Sequence, residues 1–387
     1  MRISHIIDSL DPSQGGPPVS TVSLAAAQAA LGHDVTVVSN ESSDSSPHLN
    51  RLLCDIPGSD RLTITFVSQK NYLDKLFGVS AKHFFAKNMH RWDILHLHGL
   101  WRSILWAAAN GALEQNVKWG MAPKGMLHPW ALQQKPWKKR LALELGWRRV
   151  LRHTAFLHAL NIEEKVSMER LLLGCPIEVI PNGCFPEKMD RIANGRGLPV
   201  EMAKWMDRPY ILFLSRLHYG KGLDYLADAF AIVAQRNPET SLVVAGPDAG
   251  MLRQFKAHVC RLGISQRVHV VGMLLGVDKY AAIRNAVCLC QPSRQQEGFS
   301  MTIIEALASG VPVVISKQCN FPEVEELGAG RVVDLDAMAI ANALLQIVTN
   351  GDWRKIAGQK ARVLALEKYT WPKIAERSID VYKRVIK

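Results

Sequence analysis

Two short stretches in the second half of the chain hold residues suited to binding charge and hydroxyl groups. Arg216 and Lys221 stand in the run Arg216-Leu217-His218-Tyr219-Gly220-Lys221-Gly222. Two cations in one turn ahead of a helix suit a diphosphate. The helix adds free N–H groups and the positive end of its dipole, and the glycines let a ligand approach the backbone. The Walker phosphate pattern is absent, because Gly222 and not Ser or Thr follows Lys221. An ordinary solvated turn with two surface cations fits the same residues. In the second stretch, Glu297 and Glu305 have seven residues between them. A carboxylate at Glu297 would accept hydrogen bonds from sugar hydroxyls, while the amides of Gly298, Phe299, Ser300 and Met301 would hold phosphate. Glu305, a turn further on, would reach a ribose diol. Thr302-Ile303-Ile304-Glu305 also fits a capping box, in which Glu305 serves only its own helix.

Such loops work only if strands present them. The first half opens with a strand at 2–7, a loop containing Gly15-Gly16-Pro17-Pro18, a helix at about 19–31 and a strand at 34–39. That order is a βαβ unit and favours a parallel sheet. Strands at 93–97 and 177–180 follow, the second broken by Pro181-Asn182-Gly183. Polar sequence interrupted by Gly195, Gly197 and Pro199 reads as a linker at 185–208, separating domains at 1–184 and 209–369. The second half repeats the alternation, with strands at 210–215, 241–245, 268–271, 287–291 and 311–315 and helices between them. Near-continuous apolar strands belong to a doubly wound α/β sheet buried on both faces. Ligands of such sheets lie beyond the carboxyl ends of the strands, where both polar loops fall.

Together with Gly246-Pro247 and the run Ala306-Leu307-Ala308-Ser309-Gly310-Val311-Pro312-Val313-Val314, these loops closely resemble the retaining GT-B glycosyltransferases of family 4, the group 1 glycosyl transferases. The resemblance covers nearly the whole second half, and the paired acids are its most specific element. It implies a GT-B fold, two Rossmann-like doubly wound domains facing across a cleft, with a last helix at about 370–387 returning to the first. It also implies that Arg216 and Lys221 bind the donor diphosphate, that Glu297 contacts the transferred sugar and that Glu305 holds the ribose. In the resembled enzymes the departing phosphate serves as base, so no protein nucleophile is required.

The first half resembles the family less tightly. Gly15 and Gly16 fall where it places a glycine loop near the donor phosphate and the acceptor. The run Ala122-Pro123-Lys124-Gly125-Met126-Leu127-His128-Pro129-Trp130 looks like a bacterial polysaccharide- and lipopolysaccharide-assembly branch. Relatives carry an active-site histidine near this stretch, and here Lys124 or Gly125 takes the aligned position. His98 and His128 are therefore the histidine candidates for catalysis, with a buried, backbone-satisfied imidazole as the competing reading for His96 or His98. The implied reaction moves a hexose-type sugar from a UDP- or GDP-linked donor to a glycan or lipid-linked glycan with retention, in cell-surface polysaccharide biosynthesis. No metal is expected: Asp8-Ser9-Leu10-Asp11 has the wrong spacing for a D-x-D motif, and Asp334-Leu335-Asp336 lies late in the chain.

Composition narrows the alternatives. At 48% hydrophobic and 21% charged, the 387 residues describe a soluble globular protein. The opening apolar run is too short and polar for a signal sequence, and no stretch approaches the ~20 apolar residues of a membrane span. Seven cysteines without a CxxC pair imply reduced thiols and a cytoplasmic location, at the inner face of the membrane if the acceptor is a lipid. Of the net +12, two thirds sits in 118–153, where nine basic residues face Glu144 alone. Read as one helix, 136–153 gathers Leu143, Trp147, Val150 and Leu151 on one face, while Leu141 and Leu145 fall on the basic side. The segment reads as a contact for anionic membrane, or else as a core helix with a solvated basic face. A nucleic-acid binder would need a recognition motif, and none is present. A sugar-nucleotide epimerase would lack the acid pair, and a phosphorylase would need a much longer chain with a pyridoxal phosphate lysine. A non-catalytic nucleotide-sugar binder stays open.

Overall fold

The first sheet is formed by the short strands β1 (Arg2–Ile7), β2 (Asp34–Asn40), β3 (Thr63–Val67), β4 (Ile94–His98), β5 (Lys118–Ala122), β6 (Phe156–Ala159) and β7 (Ile177–Val179). All pair in parallel, in the order β3-β2-β1-β4-β5-β6-β7. A second parallel sheet has the order β10-β9-β8-β11-β12-β13. Its strands are β8 (Tyr210–Leu214), β9 (Ser241–Ala245), β10 (Val268–Gly272), β11 (Cys288–Gln291), β12 (Val313–Ser316) and β13 (Gly330–Val333). Each sheet winds outward in both directions from its first strand, so β1/β4 and β8/β11 are the topological switch points. The computed structural model describes residues 1–12, 15–41, 46–134, 136–194, 204–295 and 299–387. They divide into two units, Met1–Gly183 with Trp371–Lys387, and Cys184–Thr370.

Strands β3, β5, β6 and β13 are not evident in the sequence. β5 and β6 are short and carry Trp119, Gly120 and His158 in place of an apolar run. Gly120 is required by packing, because the Phe156 ring occupies the space a Cβ would take. The expected linker is also corrected. Of its described residues, Pro186–Asn194 is a helix, and Met189 and Trp205 are buried in the core of the second unit. Asp190 pairs with Arg362 at 2.5 Å, and the apolar anchors among these residues are too few to give a readable period. Residues 136–153 do not form one helix either. The helix Pro136–Ala142 passes through a π-type turn, Leu143–Trp147, into Arg148–His153, with the break at Gly146 (φ 142°) where a side chain would strike Trp106.

One face of the first sheet is polar and buried, and its hydrogen bonds permit a single arrangement of protons. Ser378, on the helix Trp371–Ile386, gives its one hydroxyl proton to Ala375 O (2.7 Å), so its oxygen accepts from Gln28 Nε2 (2.7 Å). The Gln28 carbonyl then faces His5, whose Nε2–H donates to it at 2.7 Å. That leaves His5 Nδ1 as acceptor for His98 Nε2–H (2.8 Å). From the other end, His158 Nε2–H donates to Ile180 O (2.5 Å), so His158 Nδ1 accepts from His96 Nε2–H (3.1 Å). His96 Nδ1 accepts from the Tyr382 hydroxyl (2.6 Å), whose oxygen accepts from Gln28 Nε2 (3.2 Å). All four of these imidazoles are neutral and protonated on Nε2, and of their ring nitrogens only His98 Nδ1 has no partner among the described residues.

Burial enforces that neutrality. It pushes His5 down to about 4 and His158 to about 3, and holds His96 and His98 well below the ordinary histidine value. Unfolded histidines titrate near ~6.5, so below that pH the unfolded chain binds protons that the folded unit excludes. The stabilisation is therefore complete above pH ~6.5 and is lost as pH falls toward the folded values. Thermal melts from about pH 8 to 5 should show the first unit weakening below about 6.5. Imidazole 15N spectra at neutral pH should find His5, His96, His98 and His158 all in the Nε2–H form. A melt indifferent to pH, or one ring protonated on Nδ1, would break the assignment.

Candidate active site

In the second unit the two loops picked out by their chemistry meet at the switch point. β8 ends at Leu214, and the chain runs through exposed Arg216 into a single turn, Tyr219–Lys221, that leaves Lys221 half-buried. Gly222 then starts the helix Leu223–Arg236 with φ at 66°. A Cβ there would fall on the carbonyl oxygen of Pro292, so glycine is what lets the cationic turn lie against the loop after β11. Arg294 N donates to Gly220 O at 2.8 Å and closes the same junction. The Arg294 guanidinium pairs with Asp224 and stacks on Tyr219 and Tyr225, each ring centre 4.5 Å away. Leu217 N reaches Pro247 O at 2.9 Å, which brings the loop after β9 to the same place.

The helix Met301–Ala308 begins in the loop after β11, and no side chain of the described residues caps its start. No acidic residue lies in its first turn, and Ser300 at the cap position makes no capping bond. Instead Ser300 Oγ and Thr302 Oγ1 both donate to Gln291 Oε1, at 2.9 and 3.1 Å. Glu297 and Gly298 lie outside the described residues. The half-buried Phe299 ring packs on Phe321 and Tyr369, with centroids at 4.9 and 5.5 Å. Glu305 is buried and bonded to Lys279 Nζ at 2.6 Å. The capping-box alternative is not seen: the helix starts at Met301, which puts Glu305 beyond the capping position, facing a cation. Lys279 was not found from sequence. The available signal was a carboxylate in an otherwise apolar helix, which needs a buried cation.

The first unit places other candidates at the carboxyl ends of its strands. Gly15 and Gly16 open the helix Gly16–Ala30, which has neither a side-chain cap nor an acid in its first turn. Lys124, just past β5, donates to Ser20 Oγ at 2.7 Å, and burial pushes its ammonium down to about 8 against the opposing pull of Glu164. Glu164 fixes the adjoining backbone by accepting from Gly125 N (2.5 Å) and Leu160 N (2.7 Å), and burial raises its own pKa. His98 ends β4 and is buried. His128 caps the helix Pro129–Gln133, its Nδ1 accepting from Trp130 N at 3.4 Å. His5, His96 and His98 bring nitrogens within 4.8 Å of one another, a spacing a cation could span. Both nitrogens of His5 and His96 are already committed to the proton chain, so a cation would have to break it.

All seven cysteines are free. No helix of the described residues is long and apolar enough to cross a membrane.

Two family models match the chain, "Glycosyl transferases group 1" over residues 200–364 and "Glycosyl transferase 4-like domain" over 15–183. Phosphatidyl-myo-inositol mannosyltransferase of Mycobacterium tuberculosis is 30% identical over 222 residues, 55% of each chain. The chain thus spans about half the length of the curated relatives it matches. Among solved structures, sucrose-phosphate synthase from Thermosynechococcus elongatus superposes with TM-score 0.75 at 20% identity, over 100% of this chain and 99% of that one. Anabaena HepE in complex with UDP and glucose gives 0.78 at 18% identity, over 99% and 100%. The fold is GT-B.

Replacing Lys279 by Met strands a buried carboxylate. Denaturant unfolding of the second unit should lose about 3–5 kcal/mol. Adding Glu305→Gln should recover much of it, and an unchanged unfolding midpoint in the single variant would show that the pair carries no such weight.

Proposed function

Because the chain carries the domains of a group 1 glycosyl transferase, we propose that it transfers a hexose-type sugar from a UDP- or GDP-linked donor to a glycan or lipid-linked glycan. The observation that carries this reading is the junction at the second switch point. There Gly220, in the turn that carries Lys221, accepts from Arg294 N, which sets the cationic turn against the loop leading to the helix Met301–Ala308. Breaking an anomeric C–O bond leaves a diphosphate, and fixed cations with an oriented helix end stabilise that charge without reorganising. They supply what a divalent metal supplies in other transferases, so the reaction is metal-independent.

In this reading the ribose diol binds Glu305, held in place by Lys279, and the transferred sugar binds Glu297. The amides of Gly298, Phe299, Ser300 and Met301 line the phosphates. Gly15, Gly16 and Lys124 serve the phosphate and acceptor side, with His98 and His128 as the remaining histidine candidates. The configuration at the anomeric carbon is retained, with the departing phosphate as base. The lipid named in the mycobacterial relative supports a membrane-held acceptor, which agrees with a role in cell-surface polysaccharide assembly at the inner face of the membrane. The segment 136–153 would then touch anionic lipid.

Lys221→Ala is expected to lower kcat by about 10²-fold or more. EDTA should leave the rate of the parent protein unchanged. A thermal-shift panel of UDP-, GDP- and dTDP-sugars should raise the melting point with one nucleotide family. Full activity in the Lys221 variant, or no shift with any donor, would overturn the reading.

A further inference from the structure

The helix Tyr72–Phe77 is built inside out. Its one buried side chain is acidic: Asp74 is 5% exposed and accepts from Lys70 N (3.1 Å), Ser80 N (2.8 Å) and Ser80 Oγ (2.5 Å). Its apolar side chains point outward, with Tyr72 77%, Leu73 62%, and Leu76 and Phe77 each 56% exposed. Positions i, i+1, i+4 and i+5 share one helical face, so the four make a single apolar surface. The helix is not loosely held. Asn71 caps its start through Asp74 N (2.8 Å), and Ser103 Oγ donates to Lys75 O at 2.8 Å. A folded domain that fixes a helix with its carboxylate inward and its hydrophobes outward leaves a face that water does not stabilise.

A second apolar row lies beside it. Trp137, Leu141 and Leu145 recur every four residues, and each is more than half exposed. Leu141 and Leu145 are the residues that blur the amphipathic pattern of 136–153. The structure buries Trp147, Val150 and Leu151 and turns this second row outward. One groove joins the two rows, with Leu76, Phe77, Ala142, Leu145 and Lys82 in its walls. Lys82 lines the groove, and Lys75, Lys138 and Arg140, on the two helices that carry the rows, are likewise exposed.

We infer that these two rows form one surface that inserts into the interface of an anionic lipid bilayer. It deepens the membrane contact proposed above and rests on that reading only for the choice of partner. Apolar side chains enter the acyl boundary while Lys and Arg reach the headgroups, the arrangement of a helix lying in the plane of a membrane. Charge decides against a second copy of the chain, because a self-complementary interface would set these cations against their own equivalents.

The test is flotation of the full-length protein with phosphatidylcholine vesicles, with and without phosphatidylglycerol, at low and high salt and with no substrate present. Leu73→Gln with Phe77→Gln, on exposed positions, should lower binding to anionic vesicles about tenfold or more at both salts. Lys138→Glu with Arg140→Glu should lower it by a similar factor at low salt and by less at high salt. Circular dichroism melts should show both variants folded. The inference is overturned if the parent protein does not float, or if the Leu73/Phe77 variant floats like the parent. It is equally overturned if sedimentation finds a dimer that this variant dissolves while vesicle binding is unchanged. Donor-sugar thermal shifts, read separately, test the enzymatic reading and leave this result untouched.

Discussion

The first unit depends on a hydrogen-bond chain whose proton positions are set from both ends. Ser378 has one hydroxyl proton and spends it within its own helix, and Ile180 offers a carbonyl that can only accept. Between those fixed points, Gln28, Tyr382 and four neutral histidines have no freedom in which atom donates. An interior of this kind is stable only when complete, since each unmade bond leaves a desolvated polar group. It also explains why strands β1, β4 and β6 carry histidine on a buried face where aliphatic residues are the usual choice. The helix Trp371–Ile386 is held to the sheet through polar contacts that accept one alignment.

The second unit is organised by a different constraint, the close approach of backbone. At Gly222 only the lack of a side chain lets the turn after β8 rest on Pro292, and Arg294 then closes the contact from the other side. The cationic turn and the uncapped helix are therefore placed by main-chain geometry, while Lys279 and Glu305 are placed by mutual neutralisation within the apolar interior. Main-chain placement leaves Arg216 exposed and Lys221 half-buried.

How much of this was legible in the sequence follows from the range of each interaction. Strands that are near-continuous apolar runs, such as β8 and β9, are visible because burial on both faces leaves little polar interruption. β5 and β6 are not, because Gly120 and His158 answer to neighbours distant in sequence. The loop residues Arg216 and Lys221 stand out by local composition. Lys279 does not, since its partner lies twenty-six residues away on another helix. The helix Tyr72–Phe77 is not legible either. Its apolar residues suggest an inward face, and only the cap of Asp74 on the Lys70 and Ser80 amides reveals that the helix is turned around.

The first unit is also discontinuous: its final helix follows the whole of the second unit in the chain. During synthesis, then, β1 through β7 emerge well before Ser378 and Tyr382 exist. Until those two residues leave the ribosome, Gln28 and His96 must rely on water for the bonds they later make with Ser378 and Tyr382. The order of translation thus puts the helix Trp371–Ile386 after the second unit, and the nascent first unit cannot complete its native proton arrangement until that helix has emerged.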